Sequence, residues 1–342
     1  MSGLGGAPGL LPRVRLIATG GTIAGTGASS TSLTDYAPGT LSGAALLADL
    51  PELEGRLTVE VEQLANLNSA DLGFDLWRAL AQRIDALFHA DPGLAGIVVS
   101  HGTNTLEETA YLLQLTVRHD RPVVLVGALR PTTALSADGP LNLLQALLVA
   151  AAPDASGHGV LVVMNGQIHG ARDVTKGHTL QLEAFRSPEG GPLGQVVGEQ
   201  VLLERRPARR HTTASEFEPA DLERLPWVEI LYGAVQPSPL LIETLVAAGV
   251  DGLVFAGTGA GLISCFEKEA LQRALAQRPG APPVLVRSNR TGSGPVPATA
   301  EYDALAMIPA GNLSPQKARV LLLLALARGL DGAGIRRVFE QY

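Results

Sequence analysis

Two spacings of apolar residues alternate along the chain. Short runs rich in Val and Ile give way to stretches in which apolar positions recur every three or four residues, the marks of buried strands and of helices. The change is clearest at 96–113, GIVVSHGTNTLEETAYLL. Five β-favouring residues end at Ser100, a polar turn is centred on Gly102, and a helical pattern carrying Leu106, Tyr111 and Leu112 follows. Thr105 with Glu108 three residues on reads as a capping box that starts this helix. Thr103 and Asn104 are thereby expected at the carboxyl end of a strand, beside free N–H groups of a helix N-terminus, where open α/β sheets hold ligands.

The same alternation continues on either side. A strand over 14–19 ends in Gly20, Gly21 and Thr22, and adjacent glycines let the backbone turn sharply and approach a ligand closely. Residues 25–43 are rich in Gly, Ser and Thr around a lone Tyr36; so long a loop in a compact α/β unit is expected to cover a site. The pattern then predicts a helix over 44–50, a strand over 57–64, a helix over 71–88 capped by Asn68 and Ser69, strands over 122–126 and 159–164, and a helix over 141–151 between them. Residues 166–194 hold short pieces around Arg172, Asp173 and Lys176 with no clear period. Residues 205–226 open on Arg205, Arg206, Arg209 and Arg210 and read as a linker with solvated arginines. A second block follows, with strands over 227–231, 252–255 and 283–286 and helices over 239–248, 266–276, 315–327 (Ser314 as cap, Pro315 first) and 333–340. This predicts an α/β protein of two domains: a larger N-terminal doubly wound, flavodoxin-like sheet over 1–204, a linker over 205–226, and a smaller C-terminal parallel sheet over 227–342.

Composition narrows the class. The 342 residues are 46% hydrophobic but only 4% aromatic, so the core rests on Leu, Val, Ile and Ala, as in sheets covered by helices. A formal net charge of −7 gives no basic field for nucleic acid or an anionic membrane, and no stretch has the uninterrupted apolar length of a spanning helix. A single cysteine, Cys265, leaves no intrachain disulfide and fits a reducing cytoplasm. The opening MSGLGGAPGLLPRVRL lacks a basic start and an apolar run of signal length, so the expected location is cytoplasmic, or periplasmic if a leader has been removed.

Two threonines, Thr22 and Thr103, follow glycines at the ends of two strands. A threonine in such a place is ordinarily a turn or cap residue. The pairing changes this, because the strands ending at Thr19 and Ser100 can be neighbours in a doubly wound sheet and bring both hydroxyls to one crevice. A threonine acts as nucleophile only if something accepts its proton; Lys176 and Tyr36 are the available groups, the lysine only where desolvation keeps it partly neutral. His101 lies in the turn, while His158, His169, His178 and His211 are scattered, so no metal site is expected. There is no GxSxG elbow, and GTGAGL at 257–262 lacks the third glycine and the acid of a dinucleotide loop. Its glycines suit a loop that approaches a ligand from a second domain.

IATGGTIAG at 17–25 together with HGTNTLEETAY at 101–111 resembles the bacterial-type L-asparaginase and glutaminase-asparaginase family. The likeness extends through GALRPTTALSADGPLNL from Gly127, GARDVTK ending at Lys176, GPLG at Gly191, and VRSNRTGSGPVPATAEYDA with GNLSPQKARVLL near the end. It implies a two-domain α/β hydrolase without cofactor, built as a dimer of dimers and acting on L-asparagine, with L-glutamine as the alternative. It also implies that Thr22 is the nucleophile, Tyr36 the lid residue over it, Thr103 the second essential threonine and Lys176 its helper. Ser69 would hold the substrate α-carboxylate, with Gly21, Ala70 and Gly102 beside it, and Glu301 would reach the α-ammonium of a neighbouring subunit's substrate.

Two positions depart from the family pattern. Asn104 stands where the family has aspartate, which pairs with the substrate ammonium and completes a Thr, Lys, Asp set; the lost charge implies about ten- to a hundredfold loss from binding alone, from about 1.5–3 kcal/mol per charged hydrogen bond, and damage to the proton-transfer set adds to it. In GTGAGL, Ala260 and Leu262 replace asparagines common in the family. The alternatives to an active amidohydrolase are a form inactivated at Asn104 and an amino-acid-binding protein on the same scaffold. A tRNA-dependent amidotransferase subunit ranks below these for want of a basic face.

Overall fold

The structure is a computed structural model that describes residues 11–342; positions 1–10, on which most of the reading for a leader rests, lie outside the described residues. Packing divides it into two compact units, one comprising the chain up to Leu106 with 119–186 and 192–207, the other 107–118, 187–191 and 208–342.

The first unit is built on an eight-stranded sheet. Strands β1 (Arg13–Gly20), β2 (Thr58–Leu67), β3 (Leu94–Ser100), β4 (Val123–Val126) and β5 (Val160–Met164) are parallel and lie in the order β2-β1-β3-β4-β5. This is the flavodoxin-type order. The central strands are buried almost throughout, which is why they read as unbroken apolar runs, whereas β2 on the edge alternates between partly covered and exposed positions. Beyond β5 the sheet turns antiparallel through β6 (Gln167–Gly170), β7 (Gly194–Val197) and β8 (Gln200–Leu203). That extension was not expected. Its first turn is Asn165-Gly166, both left-handed (φ 50° and 76°), the two-residue hairpin signal that the short surrounding pieces obscure.

Helix α1 (Gly43–Ala48) is capped by Ser42, whose side chain accepts from the Ala45 N–H. Helix α2 (Phe74–Ala90) buries Trp77, Leu80, Ala81, Ile84, Leu87 and Phe88, one face at helical spacing. It begins at Phe74 rather than at Asp71. Asn68 does cap, taking the Ala70 N–H at 3.1 Å, but what it caps is a single 3-10 turn, Ser69–Asp71, and Gly73 separates that turn from the helix. Helix α3 (Leu106–Thr116) groups with the second unit from Glu107 on. Helix α4 (Gly139–Ala151) packs Leu143, Ala146, Leu147 and Ala150 into the sheet core with Val14, Leu16, Val98, Val124 and Leu161.

The second unit carries four parallel strands in sequence order: β9 (Val228–Tyr232), β10 (Gly252–Gly257), β11 (Val284–Asn289) and β12 (Ile308–Pro309). Helices α5 (Pro239–Ala247), α6 (Cys265–Gln277), α7 (Pro315–Ala327) and α8 (Gly332–Gln341) complete it, around a core that includes Leu231, Ile242, Phe255, Leu271, Tyr302 and Met307. Residues 205–226 form two short 3-10 turns, Thr212–Ala214 and Pro219–Leu222. Their arginines bind the chain itself: Arg209 donates to the Glu340 carbonyl and Arg210 to Gln341. No helix among the described residues is long and apolar enough to cross a membrane.

Candidate active site

Strands β1 and β3 lie side by side with Ala18 opposite Ser100. The chain order of the sheet reverses between them, and a switch point of this kind opens a crevice at the carboxyl ends. At the end of β1, Gly20 and Gly21 take left-handed conformations (φ 102° and 84°), and Thr22 starts a 3-10 turn that ends at Ala24. A Cβ on Gly21 would lie 2.3 Å from the Gly102 Cα, and one on Gly102 would lie 2.6 Å from Ser69 Oγ. The glycines are thus what lets three backbone turns touch and brings Thr22, Ser69 and Thr103 together.

Each threonine has its own partner. Thr22 Oγ1 is 2.6 Å from the Tyr36 hydroxyl. Lys176 Nζ donates to Thr103 Oγ1 at 2.8 Å and to Asn104 Oδ1 at 3.4 Å. Asn104 in turn donates through Nδ2 to Asn68 Oδ1 at 3.3 Å and through its backbone N–H to Ser69 Oγ at 3.2 Å. The Thr105 hydroxyl donates to the Ser69 carbonyl at 2.8 Å and so ties the start of α3 to the same turn.

Tyr36 is delivered by a small hairpin in which Thr26–Gly27 pairs with Tyr36–Ala37. Thr132 donates its N–H to the Gly25 carbonyl at 2.9 Å, and Thr133 Oγ1 accepts the Gly27 N–H at 2.8 Å. The loop bearing these threonines is shaped by Asp138, whose carboxylate takes the Leu129 and Arg130 N–H groups, each at 2.9 Å. Lys176 comes from a second short pair, Thr175–Lys176 against Phe185–Arg186.

The crevice is a cavity of about 140 Å³ lined by Gly21, Thr22, Tyr36, Ser69, Gly102, Thr103 and Asn104, all expected from sequence, together with Thr34, Pro38 and Asn68. Thr34 and Pro38 flank Tyr36 two residues away on either side and would have been found by treating the hairpin as a unit. Asn68 was seen only as a cap. Ala70 is exposed and outside the lining, its N–H held by Asn68. Glu301 stands in the second unit, on the short helix Ala300–Asp303, paired with Lys268. The loop 257–262 is closed on itself by reciprocal backbone bonds between Thr258 and Leu262 at 2.8 and 2.9 Å.

His101 is buried under the turn, and burial pushes its pKa down to about 4. The neutral ring has Nδ1 2.7 Å from the Gly102 carbonyl, to which it donates. Elsewhere in the first unit, Asp85, His89 and His119 gather with their ligating atoms within 4.8 Å of one another. Asp85 and His89, four apart on one helix, are the half of this group that the sequence shows.

Fold and site together define an α/β protein with a crevice for a small molecule, carrying two differently partnered threonines. Residues 13–209 match the family model described as Asparaginase, N-terminal, and residues 227–339 match the Glutaminase/Asparaginase C-terminal domain. The chain is 42% identical over 332 residues to L-asparaginase 2 of Bacillus subtilis (strain 168), covering 97% of this chain and 87% of that protein. It is 41% identical over 335 residues to the glutaminase-asparaginase of Pseudomonas fluorescens biotype A, covering 97% and 91%. The crystal structure of a probable cytoplasmic L-asparaginase from Campylobacter jejuni matches with a TM-score of 0.92 at 39% identity, covering 97% of this chain and all of that one (100%). The chain belongs to the asparaginase family. It is a hydrolase acting on amides.

Proposed function

We propose that this chain hydrolyses the side-chain amide of L-asparagine to L-aspartate and ammonia in the crevice of the first unit. The observation that carries the reading is the double pairing around one cavity: Thr22 with Tyr36 at 2.6 Å and Thr103 with Lys176 at 2.8 Å. Thr22 Oγ1 attacks the amide carbon. Its proton passes by way of the Tyr36 hydroxyl to the amide nitrogen, the C–N bond breaks, and ammonia leaves an ester on Thr22. Water, polarised by the Thr103 and Lys176 pair, then adds to the ester carbon; the bond to Thr22 breaks, the hydroxyl regains its proton and aspartate is released. Ser69 with the Gly21 and Gly102 backbone receives the α-carboxylate. In a dimer of dimers, Glu301 of a second copy meets the α-ammonium.

Asn104 weakens this action by withholding a negative charge from both the substrate ammonium and Lys176. L-Glutamine is the second substrate reading, favoured by the name of the glutaminase-asparaginase that shares 41% identity. The location that fits the single cysteine is the cytoplasm, and neither nucleic acid, membrane nor cofactor enters the scheme. Ammonia release from both amides, measured on the parent and on Thr22→Ala, tests the proposal. Ammonia release at background level in a variant that melts as the parent does is expected; normal turnover in that variant would remove the mechanism.

A further inference from the structure

We propose that Asp85, His89 and His119 form a binding site for a divalent transition-metal ion, with Zn²⁺ the best-fitting case, that fastens the end of α2 to the segment entering β4. Asp85 and His89 are one turn apart on α2 and therefore share a face. His119 comes from the connection before β4. Its Nε2 lies 3.4 Å from His89 Nδ1 and 3.5 Å from Asp85 Oδ1, and His89 Nδ1 lies 3.5 Å from Asp85 Oδ2. A tetrahedral ion with metal–ligand bonds of about 2.0–2.1 Å sets its donors about 3.3–3.4 Å apart. Each pair of side chains has atoms near that spacing, Asp85 reaching His119 with Oδ1 and His89 with Oδ2; taken one donor per residue, all three lie within 4.8 Å, so a single ion gathers them with a small rotation of the carboxylate.

The chemistry of the donors agrees. Asp85 Oδ1 is buried and accepts no hydrogen bond, although it faces His119. The His119 ring is held by Phe88, with centroids 5.0 Å apart, and by the edge of His89 at 4.8 Å. His89 Nδ1 also contacts the Asp85 carbonyl at 2.8 Å, a hydrogen bond that an ion would replace. Two imidazoles with one carboxylate suit Zn²⁺ better than Mg²⁺ or Ca²⁺, which take oxygen. His89, with its side chain 67% exposed, leaves room for water as the fourth ligand.

The position assigns the ion a structural role. Asp85 and His89 lie in the last turns of α2, which leads into the amino end of β3, and His119 precedes the amino end of β4; Thr22 and Thr103 follow the carboxyl ends of their strands. An ion here stabilises the unit without touching the reacting groups.

The test titrates Zn²⁺ into the chelator-treated full chain against a chromophoric competitor and records thermal melts with and without the ion. Binding of one Zn²⁺ per chain, a rise of several degrees in the melting midpoint and unchanged kcat are expected. His89→Ala and His119→Ala should each lower affinity at least tenfold and remove the rise, while Mg²⁺ leaves the parent unchanged. If His119→Ala also lowers the metal-free midpoint, His89→Ala decides, because its side chain is mostly exposed. Zn²⁺ binding no tighter in the parent than in His89→Ala, or a rise that persists in that variant, would overturn the site. An equal rise with Mg²⁺ would overturn the assignment of the ion.

Discussion

Replacing Asn104 with aspartate should raise kcat/KM for L-asparagine by about tenfold, and the size of the gain can be worked from the contacts around it. Lys176 Nζ lies 3.4 Å from Asn104 Oδ1. A carboxylate at that distance attracts the ammonium by about 1.2 kcal/mol at the dielectric of water and about 5 kcal/mol at an effective value of 20. Asn104 is exposed, so the gain lies towards the lower figure. The substitution also discards the bond from Asn104 Nδ2 to Asn68 Oδ1 at 3.3 Å and sets two oxygens face to face, offsetting about 1 kcal/mol. With the attraction taken as about 2.4 kcal/mol, in the lower half of that range, the net gain is about 1.4 kcal/mol, which corresponds to tenfold; a hundredfold is the ceiling if the substrate ammonium takes a full charged hydrogen bond as well. Coupled measurement of ammonia release, resolving kcat and KM at low and high salt, reads this directly. The gain should shrink with ionic strength, because the pair is open to solvent. A variant that melts as the parent does, with kcat/KM within about twofold of the parent at low salt, would refute the electrostatic account of this position.

Two further substitutions probe the framework. Gly21→Ala forces a side chain into a left-handed backbone (φ 84°) with its Cβ 2.3 Å from the Gly102 Cα; a loss of about 3 kcal/mol in urea unfolding and of most activity is expected, and a stable, fully active variant would show that the two turns need not touch. His101 is held to a pKa of about 4 by burial, whereas an unfolded chain takes up that proton near pH 6.5, so stability is complete above pH 6.5 and falls as pH drops towards 4. The fall approaches about 3 kcal/mol. Urea midpoints across this window should decline less steeply for His101→Gln than for the parent; parallel declines would mean that the buried ring is not what titrates.

Some of this architecture was legible because the physics that builds it is local. The runs ending at Thr19 and Ser100 are buried on both faces, so they stand out as unbroken β-favouring stretches, and the glycines after them mark where backbone must approach backbone. The pairing of Lys176 was less legible. It is carried by a two-residue strand opposite Phe185–Arg186, too short to show a period, and 73 residues separate it from Thr103. Spacing and residue type therefore leave Tyr36 and Lys176 as interchangeable acceptors; the family resemblance implies one for each threonine, and the fold sets Tyr36 beside Thr22 and Lys176 beside Thr103. The start of α2 was misplaced for a related reason: Asn68 is a genuine cap, but a cap does not say whether the turn beyond it continues, and Gly73 stops this one. His119 lies in a connection whose place beside α2 is set by the β3–β4 pairing, so no linear spacing could have brought it to Asp85 and His89.

The two threonines differ chiefly in how their partners are attached. Tyr36 rides on the hairpin at 26–37, which is anchored through backbone and hydroxyl bonds to Thr132 and Thr133 and by the Leu135 N–H to the Ser30 carbonyl at 2.8 Å. Several of these contacts are open to solvent, where an individual hydrogen bond contributes only about 0.5–1.5 kcal/mol. Lys176 belongs to a separate strand pair and does not depend on that hairpin. Displacing the hairpin consequently takes Tyr36 away from Thr22 while the Thr103, Lys176 and Asn104 contacts stay assembled. A displaced hairpin would thus part the groups proposed for attack, whereas those proposed to polarise water are held by a separate strand pair. Such a division limits exposure of an activated Thr22 to solvent before the amide is in place.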